Sequence, residues 1–309
     1  MTRPARHLAI VGPTASGKSA VALEVARRLD DVELVSVDSM QVYRRMDIGT
    51  AKPTPAEQAE VPHHLLDLVE PWEAFSVARF QAEARDAIAG IERRGHRALL
   101  VGGTGLYLQA VVDGLAVPGE WPEVRAGLDA VATTPAGAAD LHRRLAELDP
   151  AAAARMEPTN RRRIVRALEV TVGSGRTFSS YGPGLDAYPP TAFRLTGLSL
   201  PRESLEARIA RRLESQLAAG FLDEVRALVS AGAPLSRTAR QALGYRELLA
   251  HLEGRCTLDD AVAETARRTR AFARRQRAWF RRDPRITWLD VEENPLAVLP
   301  ALLGSWSDR

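Results

Sequence analysis

The stretch IVGPTASGKSA, residues 10–20, decides the reading of the fold. Gly12, Gly17, Lys18 and Ser19 meet the spacing G-x-x-x-x-G-K-[ST] of a phosphate-binding loop. It lies between an apolar run, His7–Val11, and a helix-patterned stretch, residues 19–29, so the context is strand, loop, helix. Glycines let backbone N–H groups turn toward an anion at a helix N-terminus, the Lys18 ammonium reaches further phosphate oxygens, and the Ser19 hydroxyl is placed to ligate Mg²⁺. The loop therefore specifies phosphate, without saying whose.

Working outward, apolar and β-branched runs recur at residues 32–37, 98–101, 193–200 and 286–289, mostly separated by helical patterns. That alternation predicts an α/β fold, a parallel sheet with helices on both faces. Residues 118–190 interrupt it with an alanine- and arginine-rich stretch bordered by VPGEWP and YPP, which reads as a mostly helical insertion domain. Residues 1–117 and 191–309 then form the core that carries the loop, and after Pro201 the chain reads as almost wholly helical.

Composition narrows the class. The 309 residues, 45% of them hydrophobic, suffice for a sizeable core. No apolar run approaches the roughly 20 residues that span a bilayer. The first six residues lead into the first strand with no secretory signal, and the single cysteine, Cys256, suits a reducing compartment; the expectation is a cytoplasmic protein. Only two lysines occur, Lys18 and Lys52, the other forty of the 42 basic residues being arginine. A compact ammonium kept where guanidinium fills nearly every other basic site marks Lys18 as chemically required and draws attention to Lys52. Residues 1–160 carry a net −5 and residues 161–309 a net +8, which suggests a polyanionic partner.

Asp38 closes the second strand in LVSVDSMQVY, where the carboxyl ends of parallel strands face a ligand crevice. It is either a general base, a partner of Mg²⁺, or a former of the Asp-Ser turn. The third strand ends in LLVGGTGLY, with Gly102, Gly103 and Thr104 where ATPases place a Mg²⁺-holding Asp, which argues against an ATP-hydrolysing motor. Gly102, Gly103 and Gly105 either let the backbone approach a ligand or make a tight turn. Arg267, Arg270, Arg274, Arg277 and Arg281 follow a 3-4-3-4 spacing that aligns them on one helix face, with Trp279 and Phe280 among them; Arg161, Arg162, Arg163 and Arg166 form a second cluster. These clusters favour nucleic acid over a merely solvated face. His63 and His64 have no partner at metal-ligand spacing.

Taken together, GPTASGKS, VSVDSMQVYRRMDIGTAKP and LLVGGTGLYLQAVVDGL resemble the tRNA dimethylallyltransferase family, also called tRNA isopentenyltransferases, of the bacterial type. PHHLLDLVEP, RRRIVRALEV, GFLDEVRAL, LGYRE and RRQRAWFRR agree, so the resemblance runs from Ile10 to about Asp290. It implies transfer of a dimethylallyl group from dimethylallyl diphosphate to N6 of the adenosine immediately 3′ of the anticodon, in tRNAs reading codons that start with U. It implies that Gly12, Pro13, Thr14, Ala15, Ser16, Gly17, Lys18 and Ser19 hold the diphosphate, with Mg²⁺ on Ser19, and that Asp38 is the base, with Thr104 and Arg212 assisting. For tRNA contact it points to Asp38, Ser39, Met40, Gln41, Thr104, Arg125, Arg162, Arg163, Arg166, Gln241, Gly244, Tyr245, Arg246, Arg274, Arg275, Arg277 and Arg281. The insertion would clasp the anticodon stem-loop, the target adenine would be extruded from its stack, and a monomer is expected. An adenylate isopentenyltransferase, acting on a free nucleotide, would share the loop but would not need the arginine stripe. A nucleoside or small-molecule kinase is the reading the loop alone permits.

Overall fold

In a computed structural model, which describes residues 6–307, the chain forms two compact units, Met1–Asp113 with Tyr188–Arg309, and Gly114–Ala187. The first is built on a six-stranded, wholly parallel sheet in the order β3-β2-β4-β1-β5-β6. Its strands are β1 (His7–Val11), β2 (Val32–Val37), β3 (His63–His64), β4 (Arg97–Gly102), β5 (Phe193–Ser199) and β6 (Thr287–Asp290). β1 and β2 are buried at every residue, as strands covered on both faces require; both are mainly apolar, and their polar residues His7, Glu33 and Ser36 are buried with them.

Period-two alternation sends successive side chains to opposite layers. Leu8, Ile10, Leu34 and Leu99 pack into one layer with Val21, Ala22 and Val25 of α1 (Lys18–Arg28). Ala9, Val11, Val35, Val37 and Leu100 pack into the other with Phe80 and Ile91, from a helix over Val77–Arg93, and Tyr107 from Gly105–Val112. Counting a short helix at Pro55–Glu60 as α2, these two are α3 and α4. Registers such as Ile10↔Val101 and Val37↔Gly102 bring the carboxyl ends of β1, β2 and β4 to one edge.

The second unit has its own core, in which Leu128, Leu141, Leu145, Ile164 and Leu168 meet. They come from α5 (Pro122–Val131), α6 (Pro135–Leu148) and α8 (Arg161–Ser174), with a short α7 (Pro150–Ala153) between. The described residues of this unit hold no strand. After β5 come α9 (Arg202–Ala218), α10 (Phe221–Ser230), α11 (Arg237–Arg240), α12 (Tyr245–Leu252), α13 (Leu258–Phe280) and, beyond β6, α14 (Leu299–Ser307). Among the described residues no helix is long and apolar enough to cross a membrane.

The edge strand β3 carries no readable pattern, being two residues long. Its histidines are structural: His64 Nε2 lies 2.7 Å from the buried Glu33 carboxylate, which also accepts from Arg94, and His63 Nδ1 lies 2.7 Å from the Val61 carbonyl. Among the described residues no group of three or more His, Cys, Asp or Glu is arranged to hold a metal ion.

Candidate active site

The loop after β1 turns on three positive φ angles, Gly12 at 146°, Ala15 at 61° and Gly17 at 93°. Gly17 is doubly constrained, because a Cβ there would also meet the Pro295 ring at 2.4 Å. Lys18 opens α1, is buried, and donates from Nζ to the Pro13 carbonyl at 2.7 Å. Burial, reinforced by the Arg212 charge and opposed by Asp38, pulls its ammonium down to about 7. Ser19, next along, is exposed on the cleft.

That cleft, about 940 Å³, is lined by Thr14, Ala15, Gly17, Lys18 and Ser19 of the loop, and by Asp38, Asp47, Thr50, Arg208, Arg212 and Gln276 among others. A second cavity of about 280 Å³ shares Thr14, Ala15, Asp38, Thr50, Arg212 and Gln216 with it and continues past Ser39, Met40, Thr104, Gln241 and Arg275. Asp38 therefore faces both spaces. Its Oδ1 accepts the Met40 N–H at 2.8 Å, so it forms the turn, while its other oxygen has no hydrogen-bond partner among the described residues. The turn-forming and proton-accepting readings of Asp38 are compatible.

Arg212 reaches in from α9, with Nη1 3.4 Å from Thr14 Oγ1 and Nη2 3.4 Å from the Thr50 carbonyl. Burial lowers the pKa of its guanidinium, opposed by Asp38. Arg211 is exposed. Thr104 caps the start of α4, its Oγ1 accepting the Ser39 N–H at 3.2 Å and so tying the β4 tip to the Asp38 turn.

The glycines after β4 are explained by protein neighbours rather than by a ligand. A Cβ at Gly102 would lie 2.0 Å from the Val37 carbonyl oxygen, at Gly103 2.2 Å from Gln276 Nε2, and at Gly105 2.2 Å from the Trp279 ring. Trp279 and Phe280 likewise pack inward, Phe280 into the core and Trp279 against it with Arg282 4.5 Å over its ring, so neither is presented for base stacking. Lys52 is a strut: its buried ammonium is held by Asp47, by Asp67 at 2.6 Å and by the Tyr43 carbonyl at 2.9 Å.

Of the residues expected at RNA, several have side chains engaged within the protein. Tyr245 is fully buried and donates to Glu224 at 2.5 Å, and a side chain on Gly244 would strike Phe221, so both belong to packing. Arg125 and Arg166 flank the fully buried carboxylate of Glu169 at 3.4 and 2.9 Å. The Gln41 amide accepts from Ser36 and donates to the Thr50 and Ala51 carbonyls. Arg162, Arg163, Gln241, Arg246, Arg274, Arg275 and Arg281 are exposed and Arg277 is half-buried; Arg274 acts on Glu206 through its charge, and among the described residues neither Arg277 nor Arg281 makes an ion pair within 4 Å. Arg267 is paired with Glu264 instead.

Sequence reasoning missed three contributors. Glu224 accepts the N–H groups of Asp47, Ile48 and Gly49 at 2.7–3.1 Å. Arg208 donates to the carbonyls of Glu292 and Glu293, both at 2.8 Å, fastening the C-terminal segment beside the loop. Gln276 bridges Thr14 and Gly103. Glu224 and Gln276 lie in the family-matching stretches GFLDEVRAL and RRQRAWFRR, and Arg208 opens the R-I-x-x-R pattern that ends at Arg212, yet none was assigned a role; each is brought to its place by a helix remote in sequence.

A phosphate-binding loop at the strand ends of a parallel sheet, with an aspartate and a half-buried arginine beside it, defines a P-loop protein. Residues 41–283 match the IPP transferase family and residues 5–67 match isopentenyl transferase. The chain belongs to the IPP transferase family. A tRNA dimethylallyltransferase of Kineococcus radiotolerans is 52% identical over 93% of this chain and 91% of its own. The full-length tRNA isopentenylpyrophosphate transferase structure from Bacillus halodurans superposes with a TM-score of 0.68 at 39% identity, covering 97% of this chain and 96% of that one. A eukaryotic dimethylallyltransferase captured acting on tRNA gives 0.78 at 26% identity, over 97% and 77%.

Proposed function

We propose that this protein is a tRNA dimethylallyltransferase, joining the dimethylallyl group of dimethylallyl diphosphate to N6 of the adenosine immediately 3′ of the anticodon. The observation that carries the reading is Asp38, a carboxylate with one free oxygen on the wall shared by the two cavities, beside the phosphate loop and Arg212. The donor occupies the larger cleft and the adenine the smaller cavity, extruded from its stack at a cost of a few kcal/mol.

An adenine amino group is a weak nucleophile, because its lone pair is delocalised into the ring. As N6 bonds the allylic carbon, its C–O bond to the diphosphate breaks, the electron pair leaves with the diphosphate, and the N6 proton passes to Asp38. Stabilising the departing anion is the larger task. Amides of Ala15 to Ser19, the Lys18 ammonium and Arg212 surround its place. A donor set of one exposed hydroxyl, Ser19, fits Mg²⁺, which keeps several waters and takes its other ligands from phosphate. When bound, the ion neutralises charge on the leaving group. Exposed Arg162 and Arg163 on one unit, and Arg274, Arg275 and Arg281 on the other, supply cations for RNA phosphates. The enzyme is expected to work as a cytoplasmic monomer.

The test offers the protein unmodified tRNA or free AMP with dimethylallyl diphosphate and Mg²⁺ and weighs the nucleosides after digestion. A dimethylallyl increment on tRNA adenosine alone supports the reading. Increment on AMP alone moves the protein to the free-nucleotide reaction, and none on either returns the loop to a kinase. Asp38→Ala is expected to bind tRNA normally and lose roughly 10²–10⁴ in kcat; a near-normal rate would remove Asp38 from its role.

A further inference from the structure

The donor loop, the β4 tip and α13 have different origins in the chain, and one side chain joins all three. Gln276, on α13, is 7% exposed. Its Oε1 accepts the Thr14 N–H at 2.8 Å, and its Nε2 donates to the Gly103 carbonyl at 2.9 Å. The fit is tight from both sides, because a Cβ on Gly103 would stand 2.2 Å from Nε2. Thr14 in turn places its hydroxyl 3.4 Å from Arg212, and Thr104, next to Gly103, holds the Asp38 turn through Ser39.

We propose that Gln276 is a positioning residue of the reaction, its primary amide setting the separation between the diphosphate loop and the Asp38–Thr104 edge. Its amide is spent on two backbone partners, so its part is to hold them in place. With the Thr14 N–H taken up by Gln276, this amide is withdrawn from the anion, and the diphosphate is left to the amides that follow. Only a group that accepts at one atom and donates at the other meets both backbone partners. Methionine fills the space and does neither. Ionised glutamate accepts from Thr14 and turns a second acceptor on the Gly103 carbonyl. Protonated glutamate restores the pattern of the amide.

This inference rests on the diphosphate reading of the loop, and the experiment separates the two. Inorganic diphosphate with Mg²⁺ is titrated into wild type, Gln276→Met and Gln276→Glu, and turnover with tRNA and dimethylallyl diphosphate is measured from pH 6 to 8.5. Lys18, Asp38 and Arg212 face the same cleft in every protein, and Gln276→Met, which adds no ionisable group, gives the pH profile of those groups against which Gln276→Glu is read. Gln276→Met is expected to bind diphosphate and turn over at least tenfold more weakly while holding an anticodon stem-loop within twofold of wild type. The Gln276→Glu ratio is expected to rise severalfold as the pH falls, a signature that loss of packing alone does not produce. A flat ratio would overturn the proposal, as would a Gln276→Met protein with unchanged diphosphate affinity and turnover. Should Gln276→Met fail to fold, the pH ratio of Gln276→Glu decides alone. Failure of wild type itself to bind diphosphate would instead overturn the diphosphate reading and this inference with it.

Discussion

Lys18 gives a prediction that can be read in protons. Its ammonium is held near 7 by burial and by Arg212, against an ordinary value of 10.5. A lysine with that value is roughly nine-tenths neutral at pH 8. A diphosphate beside it supplies the negative charge that favours the ammonium, so binding draws about one proton from solution. The assay is calorimetric titration of dimethylallyl diphosphate with Mg²⁺ in buffers of differing ionisation enthalpy, comparing wild type with Lys18→Arg. A guanidinium stays protonated throughout, and the ligand's own titration is common to both proteins. Wild type is expected to exceed the variant by about 0.9 proton at pH 8, falling toward zero below pH 6. The sign for stability follows from the same values. The folded value lies below the unfolded one, so between pH 7 and 10.5 the unfolded chain holds more protons and stability rises with pH. The penalty is fully present below pH 7, and its ceiling is on the order of 5 kcal/mol. Equal proton uptake by the two proteins at pH 8 would mean that Lys18 is already charged in the free enzyme, and the burial argument would be refuted.

Glu224→Ala removes the acceptor of three loop amides and of the Tyr245 hydroxyl; urea unfolding is expected to show a loss of about 3 kcal/mol, with a raised donor KM because Thr50 no longer anchors Arg212. A loss below 1 kcal/mol with unchanged KM would dismiss that strut. Gly102→Ala forces a methyl onto the Val37 carbonyl, which cannot swing aside, and is expected to cost about 3 kcal/mol. The same change at Gly127, a helical position open to solvent, is expected to stabilise by about 0.5–1 kcal/mol; equal effects at the two sites would show that backbone contact at Gly102 does not matter. Replacing Arg274 and Arg277 together with Gln is expected to weaken tRNA binding and flatten its salt dependence by about one unit of log–log slope per lost phosphate contact, and an unchanged slope would place that helix face away from the RNA.

The strands and the loop were legible because their signals are local. β1 and β2 are rich in aliphatic and β-branched residues, and the loop needs φ and side-chain types at fixed spacing, so IVGPTASGKSA reads as strand, phosphate loop and helix without any neighbour. Asp38 was legible for the same reason, standing at the end of a readable strand. β3 was not, since two histidines carry no period. The arginine stripe shows the limit of spacing: four of its five arginines lie on α13 and Arg281 caps it, yet Arg267 is paired with Glu264, and Arg125 and Arg166, elsewhere in the chain, flank Glu169.

What the sequence by itself determined is the layout of the site, a phosphate-type loop at the end of β1 and a carboxylate at the end of β2, because backbone geometry and residue type suffice to state it. What only the tertiary structure decided is which groups remain free to act. Gln276 lies 262 residues from Thr14, and Glu224 about 175 from the amides it holds. Whether a polar side chain serves a ligand or its own protein depends on partners that packing brings together, and hydrogen bonds and burial are settled by distance in space, which spacing along the chain does not measure.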